Sequence, residues 1–389
     1  MPGWELINDD EKNALVDIFN RSNGVMFGHG FDQRRNNVFR VREFEAAFAE
    51  KMQVKHAIAT TSGTMAQYVA MKALGITSVD EVITQAFTFV ATVESILELG
   101  SNPIIIDVDN TFNIDLEILP NFLNSKTKLI VPVQMLGNQI DVNKLKKIVK
   151  DKSIKILEDS CEALGAKLYG KYVGTHFDVG IYSLDFAKTI TTGEGGMIVT
   201  DDDDLAAYCK EFVDHGHENN PAFPRGRDSR RIRGLNLRMS EIQAAVGLEQ
   251  LKKLDYIVTR NQENKNLLKS NIDLHDCLQY REILDAKEEL ADTLIFYFDN
   301  KDQARHFVEK YNAAGYFTKN LPDAIDWHFS GTWNHMFKGY ELYENSWETE
   351  WAHTRNLLAR AISIPILVNW DDSEIKIHAN TINKILSEI

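Results

Sequence analysis

Residues 178–200 read DVGIYSLDFAKTITTGEGGMIVT, and the interpretation of the whole chain starts from this stretch. Two apolar runs, 179–184 and 197–200, are typical of β-strands and flank a polar, glycine-rich turn. Lys188 lies in that turn, five residues after Ser183. It could be an ordinary surface lysine, but the glycines indicate a buried hairpin whose backbone closely approaches another group. We therefore expect a desolvated Lys188 with a lowered pKa, able to attack a carbonyl and form a Schiff base.

Composition and charge are those of an ordinary globular protein that can bury a sizeable core. The 389 residues carry a formal net charge of −14, which disfavours nonspecific binding to nucleic acid or to anionic membranes. The three cysteines, Cys161, Cys209 and Cys277, are widely spaced and form no disulfide or metal-binding pattern. We expect reduced thiols, no metal site, no signal peptide and no membrane span, and therefore a cytoplasmic protein.

Strands and helices alternate along the first 160 residues after two N-terminal helices. This alternation predicts an α/β fold with a mostly parallel sheet between helices. Ligands of such sheets bind at the carboxyl ends of the strands. The predicted helices span 9–20, 41–52, 64–74, 91–99, 116–123 and 142–151, and the predicted strands span 57–60, 81–84, 103–107, 128–133 and 154–158.

The C-terminal third predicts a second, smaller α+β domain. We divide the chain into a large domain, 1–255, and a small C-terminal domain, 256–389. A long polar loop over 214–234 precedes the boundary, and loops of this length are usually functional or disordered. The later predicted elements are helices at 239–253 and on to about 270, a strand at 293–298, a helix at 303–314, a strand at 316–319 and a helix at 372–388.

Four polar motifs follow predicted strands, so they converge on one edge of the sheet. Ser62-Gly63-Thr64 opens a helix, and a helix N-terminus is a good anion site. Asp159 could be a simple helix cap, but beside a lysine Schiff base it could keep a pyridine nitrogen protonated. Phe89, in Phe87-Thr88-Phe89, could stack on a flat ring or belong to the core. Lys188 provides the fourth motif.

Taken in order, these motifs resemble the DegT/StrS-type (DegT/DnrJ/EryC) sugar aminotransferases, which are fold-type I enzymes dependent on pyridoxal 5'-phosphate. The resemblance covers about residues 40–255. It implies a large domain with a seven-stranded, mostly parallel sheet and a small C-terminal α+β domain. The matching motifs are Ser62-Gly63-Thr64, TFVAT at 88–92, EDSCEALGA at 158–166, Lys188 with TGEGG at 192–196, and GLNLRMSE at 234–241.

The resemblance also implies a role for each matching residue. Lys188 holds the cofactor covalently and moves protons, and Asp159 pairs with the pyridine nitrogen. L-Glutamate is the implied amino donor. Lysine favours amino transfer, because related dehydratases carry histidine at this position. The other implied cofactor contacts are Phe89 against the ring, Gly63, Thr64 and Ser183 at the phosphate, and Asn236 at the phosphate of the neighbouring subunit in a homodimer.

Glu162 departs from the family pattern, since many members have glutamine beside the ring hydroxyl. A carboxylate at that place has to be protonated or neutralised near a phenolate, so its role stays open.

The sugar acceptor is predicted from a narrower resemblance. The HGH sequence at 215–217, the arginine-rich loop and Trp327-His328 resemble the branch that aminates C8 of an 8-oxo-3,8-dideoxy-manno-octulosonate (Kdo-type) acid for lipopolysaccharide. Arginine binds carboxylates bidentately, which suits a sugar acid. Alternatives are a nucleotide-linked 4-keto-6-deoxy sugar, a small keto phosphate, a basic loop without a substrate role, and a non-catalytic regulator that binds the cofactor. The predicted substrate residues are His215, His217, Arg225, Arg227, Arg230, Trp327 and His328.

Overall fold

The computed structural model describes residues 3–150, 153–220, 222–223, 227–273, 278–340, 342–343 and 346–389, so Arg225 and Cys277 lie outside the described residues. The helices are α1 Asp9–Ser22, α2 Arg40–Met52, α3 Gly63–Ala73, α4 Val90–Glu98, α5 Val142–Val149, α6 Asp203–Val213, α7 Glu241–Ser270, α8 Lys301–Ala313, α9 Ile325–His328, α10 Asn334–Phe337, α11 Ala352–Ala359 and α12 Asp372–Leu386. The strands are β1 His56–Thr60, β2 Glu81–Gln85, β3 Asn102–Ile106, β4 Thr127–Ile130, β5 Lys155–Asp159, β6 Lys167–Leu168, β7 Lys171–Tyr172, β8 Val179–Ser183, β9 Gly196–Thr200, β10 Leu278–Tyr280, β11 Thr293–Phe298 and β12 Ala361–Pro365.

Seven strands form the main sheet in the order β1-β9-β8-β5-β4-β2-β3. The five strands from β3 to β8 pair in parallel, whereas β9 runs antiparallel to both β8 and β1. Every residue of β8 and β9 is buried, as expected for strands covered on both faces. The predicted α/β fold with a mostly parallel seven-stranded sheet is therefore confirmed.

Helix α3 begins at the sheet edge where β5 and β8 end. Only two residues separate it from β1, and β1 runs in the same direction as β8. Ser62 caps the helix, because its hydroxyl accepts the backbone N–H of Met65 at 3.2 Å. The first turn of α3 is thus fixed at the carboxyl edge of the sheet.

Two predicted elements are wrong. The helix expected at 116–123 is a single 3₁₀ turn, Leu119–Phe122, because Pro120 bars an earlier start and Asn121, Asn124 and Ser125 favour turns. The strand expected at 316–319 is a loop. There the Thr318 hydroxyl donates to the Asp323 carboxylate at 2.6 Å, a local bond that competes with strand pairing.

The two helices expected over 239–270 are one continuous helix, α7, with a capping box formed by Ser240 and Gln243. No proline interrupts its 30 residues. Helix α7 therefore crosses the boundary drawn between 255 and 256, and the division into two domains stays a prediction. No helix in the described part of the chain is both long and apolar enough to cross a membrane.

A second, antiparallel sheet has the order β10-β11-β12. Phe296 of β11, Phe307 of α8 and Ile375 of α12 share one buried cluster. The segment 328–330 pairs with residues 86–88, which directly follow strand β2 of the main sheet. The backbone N–H of Thr88 donates to the His328 carbonyl at 2.9 Å, and that of Ser330 donates to Ala86 at 2.9 Å. These two bonds bring His328 to the sheet edge where α3 begins.

Candidate active site

A cavity of about 340 Å³ lies at this edge of the main sheet. The structure brings the four polar motifs of the sequence together around it, although the roles of their residues stay predictions. Of the predicted cofactor residues, Gly63, Thr64, Phe89, Asp159, Glu162, Ser183 and Lys188 line the cavity, and of the predicted substrate residues His328 does.

Glu162 is a buried carboxylate at the centre of the polar contacts. Its Oε1 lies 3.4 Å from Lys188 Nζ, 3.5 Å from Asn320 Nδ2 and 3.7 Å from His328 Nε2. Its Oε2 accepts the backbone N–H of Leu136 at 3.2 Å. Burial alone would raise the pKa of Glu162, but Lys188 and His328 hold it well below its usual value. Glu162 is thus an ionised carboxylate beside the Lys188 ammonium.

The expected lowering of the Lys188 pKa is wrong for this structure. Burial favours the neutral amine, but the negative groups around it, with Glu162 first, outweigh burial and raise the pKa above the usual 10.5. The sequence could not show this balance, because Glu162 is 26 positions away from Lys188. Lys188 is therefore a cation that has to lose a proton before it can act as a nucleophile.

Asp159 is a second buried carboxylate that faces the cavity. Thr92 Oγ1 donates to its Oδ2 at 3.0 Å, and the backbone N–H of Cys161 donates to its Oδ1 at 3.1 Å. Burial raises the pKa of Asp159, and the hydrogen bonds and Lys188 only partly offset this. A cation brought next to such a carboxylate stabilises its ionised form. Asp159 is thus suited to a positively charged ligand group.

The first turn of α3 and the end of β8 form a cradle for an anion. A Cβ at Gly63 would lie 2.8 Å from Ser183 Cβ, so the close approach requires glycine. The first-turn amides of a helix have no intrahelical acceptors, and the helix dipole favours negative charge there. Ser183 Oγ accepts the N–H of Asp185 at 3.3 Å, which leaves its own proton for another acceptor. We name Gly63, Thr64 and Ser183 the anion cradle.

Phe89 and His328 form an aromatic pair at the cavity. Their ring centroids are 5.3 Å apart. Phe89 is 40% exposed, so it is not a core residue and its ring is open to a ligand. The Nδ1 of His328 lies 2.8 Å from the Ala324 carbonyl, which can only accept. His328 therefore carries a proton on Nδ1 and turns Nε2 toward Glu162.

The other predicted substrate residues within the described part of the chain do not line this cavity, and neither does Asn236. His217 instead contacts the Asp228 carboxylate through Nδ1 at 3.1 Å. Trp327 and Asn236 are exposed, and the backbone of Asn236 pairs with Asp214. Such residues reach a ligand in the cavity only if it extends outward or if a second subunit brings them. The residues outside the cavity are His215, His217, Arg227, Arg230, Trp327 and Asn236.

Among the polar residues that line the cavity, sequence reasoning assigned no role to Gln67, Thr92 and Asn320. The spacing of Gln67, four positions after Gly63 on a helix, could have placed it on the same face. Asn320 adopts a left-handed backbone conformation with φ of 63° in a loop that carries no recognisable motif. No sequence signal would have found it.

Comparison of the sequence with those of curated proteins finds several relatives of this chain. The GDP-perosamine synthase of Escherichia coli O157:H7 is 37% identical over 233 residues, which are 60% of this chain and 63% of that protein. The GDP-perosamine synthase of Caulobacter vibrioides is 41% identical over 216 residues, 55% of this chain and 56% of that protein. The chain thus spans less than two thirds of the length of these relatives.

A solved structure and a family model cover much more of the chain. The aminotransferase from Psychrobacter cryohalolentis superposes with a TM-score of 0.86 at 24% identity, over 99% of this chain and 98% of that one. That likeness supports the fold. The model of the DegT/DnrJ/EryC1/StrS aminotransferase family matches residues 33–382, as the sequence motifs predicted. The chain therefore belongs to the DegT/DnrJ/EryC1/StrS aminotransferase family.

Proposed function

We propose that the protein is an aminotransferase that uses pyridoxal 5'-phosphate to move the amino group of L-glutamate to a keto or aldehyde sugar. The observation that carries this proposal is the convergence of Lys188, Asp159 and the anion cradle on one cavity. When bound, the cofactor supplies an aldehyde that condenses with amines and a ring that withdraws electrons. The side chains that line the cavity bind and orient the cofactor and move the protons.

The cavity offers a protein group for each part of the cofactor: the aldehyde, the ring nitrogen, the phosphate and the ring face. Lys188 supplies the amine for the aldehyde. Asp159, a buried carboxylate with a raised pKa, supplies the counter-charge for a protonated ring nitrogen. The anion cradle suits the phosphate, and a side chain at Gly63 would collide with Ser183, another residue of the cradle. Phe89 presents an open ring face for stacking.

Lys188 is the group that moves protons. Its neutral amine takes the α-proton of glutamate, and its ammonium returns a proton to the carbon that receives the amino group. Glu162 sets the charge of Lys188 from 3.4 Å away. His328 Nε2 and Asn320 Nδ2 face the same Glu162 oxygen, so the carboxylate keeps polar neighbours when Lys188 is neutral. We propose that these contacts let a carboxylate take the place of the glutamine that the family resemblance implies.

Uptake of the cofactor by cofactor-free protein is expected to accelerate as the pH rises. Only the neutral amine reacts, and the pKa of Lys188 lies above 10.5, so the neutral fraction grows about tenfold per pH unit below that value. Glu162→Gln removes the carboxylate that stabilises the ammonium, and we expect uptake at neutral pH to be about tenfold faster. Stopped-flow absorbance measures the rate.

Glu194→Gln is the matched control for this experiment, because Glu194 lines the cavity but is not among the charges that raise the Lys188 pKa. Its uptake rate should match that of the unmodified protein at each pH. Identical profiles for Glu162→Gln and Glu194→Gln would contradict the proposed control of Lys188 by Glu162.

The acceptor we propose first is an 8-oxo-3,8-dideoxy-manno-octulosonate, on the strength of the HGH sequence at 215–217 and Trp327-His328. A nucleotide-linked 4-keto-6-deoxy sugar is the second candidate, favoured by the similarity to GDP-perosamine synthases. Both carry anionic groups, yet no arginine among the described residues lines the cavity. We therefore assign the anionic end of either acceptor to the basic loop at 214–234.

A panel of acceptors tests the proposed function and separates these candidates. The enzyme is first converted to its aminated form with L-glutamate and then mixed with Kdo-type oxo acids, nucleotide-linked ketosugars or small keto phosphates. The matching acceptor should restore the original absorption spectrum within one turnover. Failure of glutamate to change the spectrum would favour a cofactor-binding regulator over an enzyme.

The active unit in this proposal is a homodimer with shared active sites. The family resemblance implies that Asn236 reaches the cofactor phosphate of a second subunit, and we keep this assignment because Asn236 is exposed and lies outside the cavity of its own chain. Lys188→Ala and Asn236→Ala should each be defective alone. Mixed dimers would then contain one site with both residues intact, and we expect about a quarter of full activity from an equal mixture on statistical pairing.

Activity in that mixture no greater than in either variant alone would contradict sharing of sites. The control is a mixture of Lys188→Ala with Lys188→Arg, in which no site regains its lysine and no activity should return.

We place the enzyme in the cytoplasm and in the synthesis of lipopolysaccharide sugars. Cys161 and Cys209 are free thiols, the form that a reducing compartment maintains. An amino sugar acid made there would be available for assembly into lipopolysaccharide.

A further inference from the structure

Gln67 carries a buried side-chain amide that the proposed function has not used. The residue is 2% exposed and lines the active-site cavity. Its Nε2 has no hydrogen-bond partner among the described residues. Buried donors in native proteins are almost always paired with protein, water or ligand. An unpaired amide at a ligand cavity therefore points to a ligand acceptor.

The position of Gln67 on α3 indicates which part of the ligand it meets. Gln67 follows Gly63 by four residues and Thr64 by three, the spacing that places residues on one helix face. Side chains of helical residues lean toward the N-terminus of their helix. The carboxamide of Gln67 is thus directed back toward the anion cradle.

The hydrogen-bond acceptors in and around the cavity indicate which ligand group the Gln67 amide could bind. Asp159 and Glu162 already accept hydrogen bonds on both carboxylate oxygens. A protonated ring nitrogen cannot accept. A phosphate has three terminal oxygens with several lone pairs, more than the two first-turn amides and the Ser183 hydroxyl can fill.

We propose that Gln67 Nε2 donates a hydrogen bond to the phosphate of the cofactor. This inference rests on the proposed use of pyridoxal phosphate and adds a side-chain donor to the anion cradle. Gln67 is then a positioning residue, since a phosphate held from the helix side fixes the distance of the ring from Lys188. It does not touch the reacting carbon.

Comparing pyridoxal phosphate with pyridoxal, which lacks the phosphate, tests the inference. Gln67→Leu should raise the dissociation constant of pyridoxal phosphate about tenfold, because a charge-assisted hydrogen bond is lost. The dissociation constant of pyridoxal should change by less than about twofold. Gln67→Glu has the same size but adds a negative charge, and we expect about a hundredfold weaker binding of pyridoxal phosphate.

Spectroscopic titration and the ³¹P NMR shift of the bound phosphate provide the readouts. Tyr68→Leu is the matched control, because Tyr68 neighbours Gln67 but packs toward Phe212 outside the cavity, and it should leave both ligands unaffected. Gln67→Met, which keeps an unbranched side chain, replaces Gln67→Leu if the latter lacks a cooperative melting transition.

Equal weakening of pyridoxal and pyridoxal phosphate would overturn the inference, as would unchanged binding of both. These measurements need no amino transfer. A protein that binds pyridoxal phosphate but transfers no amino group would refute the proposed activity and leave the role of Gln67 intact.

Discussion

Replacing Lys188 by alanine is expected to abolish amino transfer, with kcat lower by roughly ten-thousand-fold or more. Lys188 supplies both the amine that anchors the cofactor and the base that moves the α-proton, so one substitution removes two contributions. The fold should persist, because the Lys188 side chain is at the cavity and not in a hydrophobic cluster. Single-turnover spectroscopy with L-glutamate measures the loss.

Lys188→Arg separates the chemical role of the lysine from its electrostatic one. Arginine keeps a positive charge opposite Glu162 but stays protonated, so it can neither condense with an aldehyde nor act as a base. We expect it to be as inactive as Lys188→Ala. The two variants should differ in the charge of Glu162, since loss of Lys188 removes the charge that most lowers its pKa.

Borohydride reduction of the cofactor-loaded protein gives an independent check on the anchor. Peptide mapping should find the cofactor on residue 188 in the unmodified protein, and no modified peptide should come from Lys188→Arg. Normal turnover in either variant, or labelling at another lysine such as Lys319, would refute the assignment.

The main sheet could be predicted because the sequence signals for its strands and helices are local. Each of its strands is a short apolar run bounded by turn residues, and the intervening helices have their own periodicity. Parallel strands end at one edge, so residues that follow different strands meet there whatever their distance in sequence. That rule alone placed Asp159, Lys188 and Gly63 in one cavity.

The charge state of the site could not be predicted, because it depends on contacts between distant segments. Asn320 is 158 positions from Glu162, and His328 reaches the same carboxylate only through the backbone bonds that join 86–88 to 328–330. The lysine pKa was mispredicted for this reason. Burial lowers it, as expected from the sequence, but Glu162 together with the other negative groups around the amine reverses the direction of the shift.

For the loop at 214–234, the sequence predicts the type of ligand but not the contacts that the loop already makes. Its composition predicts anion binding, yet within the described residues several of its charged groups already pair with one another or with nearby acids. His217 contacts Asp228, and Arg231 contacts both Glu211 and Glu218. Composition identifies the chemistry that a loop could offer but not which of its groups are already engaged.

Replacing Asp159 by asparagine is expected to lower kcat about a thousandfold while the cofactor still attaches to Lys188. Asparagine keeps the shape: its Oδ1 can still accept the Cys161 N–H, and its Nδ2 can donate to Thr92 Oγ1, a hydroxyl that can also act as acceptor. The main loss is the negative charge, and with it the stabilisation of a protonated ring nitrogen in a buried place. Rapid-kinetic measurement of the glutamate half-reaction should locate the loss in the proton-transfer step and not in binding.

Two comparisons show whether the charge of Asp159 is the cause. Thr92→Val removes one hydrogen bond to the carboxylate but keeps its charge, so the expected loss is about tenfold or less. Reconstituting Asp159→Asn with N1-methylated pyridoxal phosphate, whose ring nitrogen is permanently positive, should recover at least about tenfold of the lost rate, because the ring no longer needs a partner to stay charged. If the methylated cofactor gives no recovery, or if Thr92→Val is as damaging as Asp159→Asn, then Asp159 acts through local structure and not through its charge.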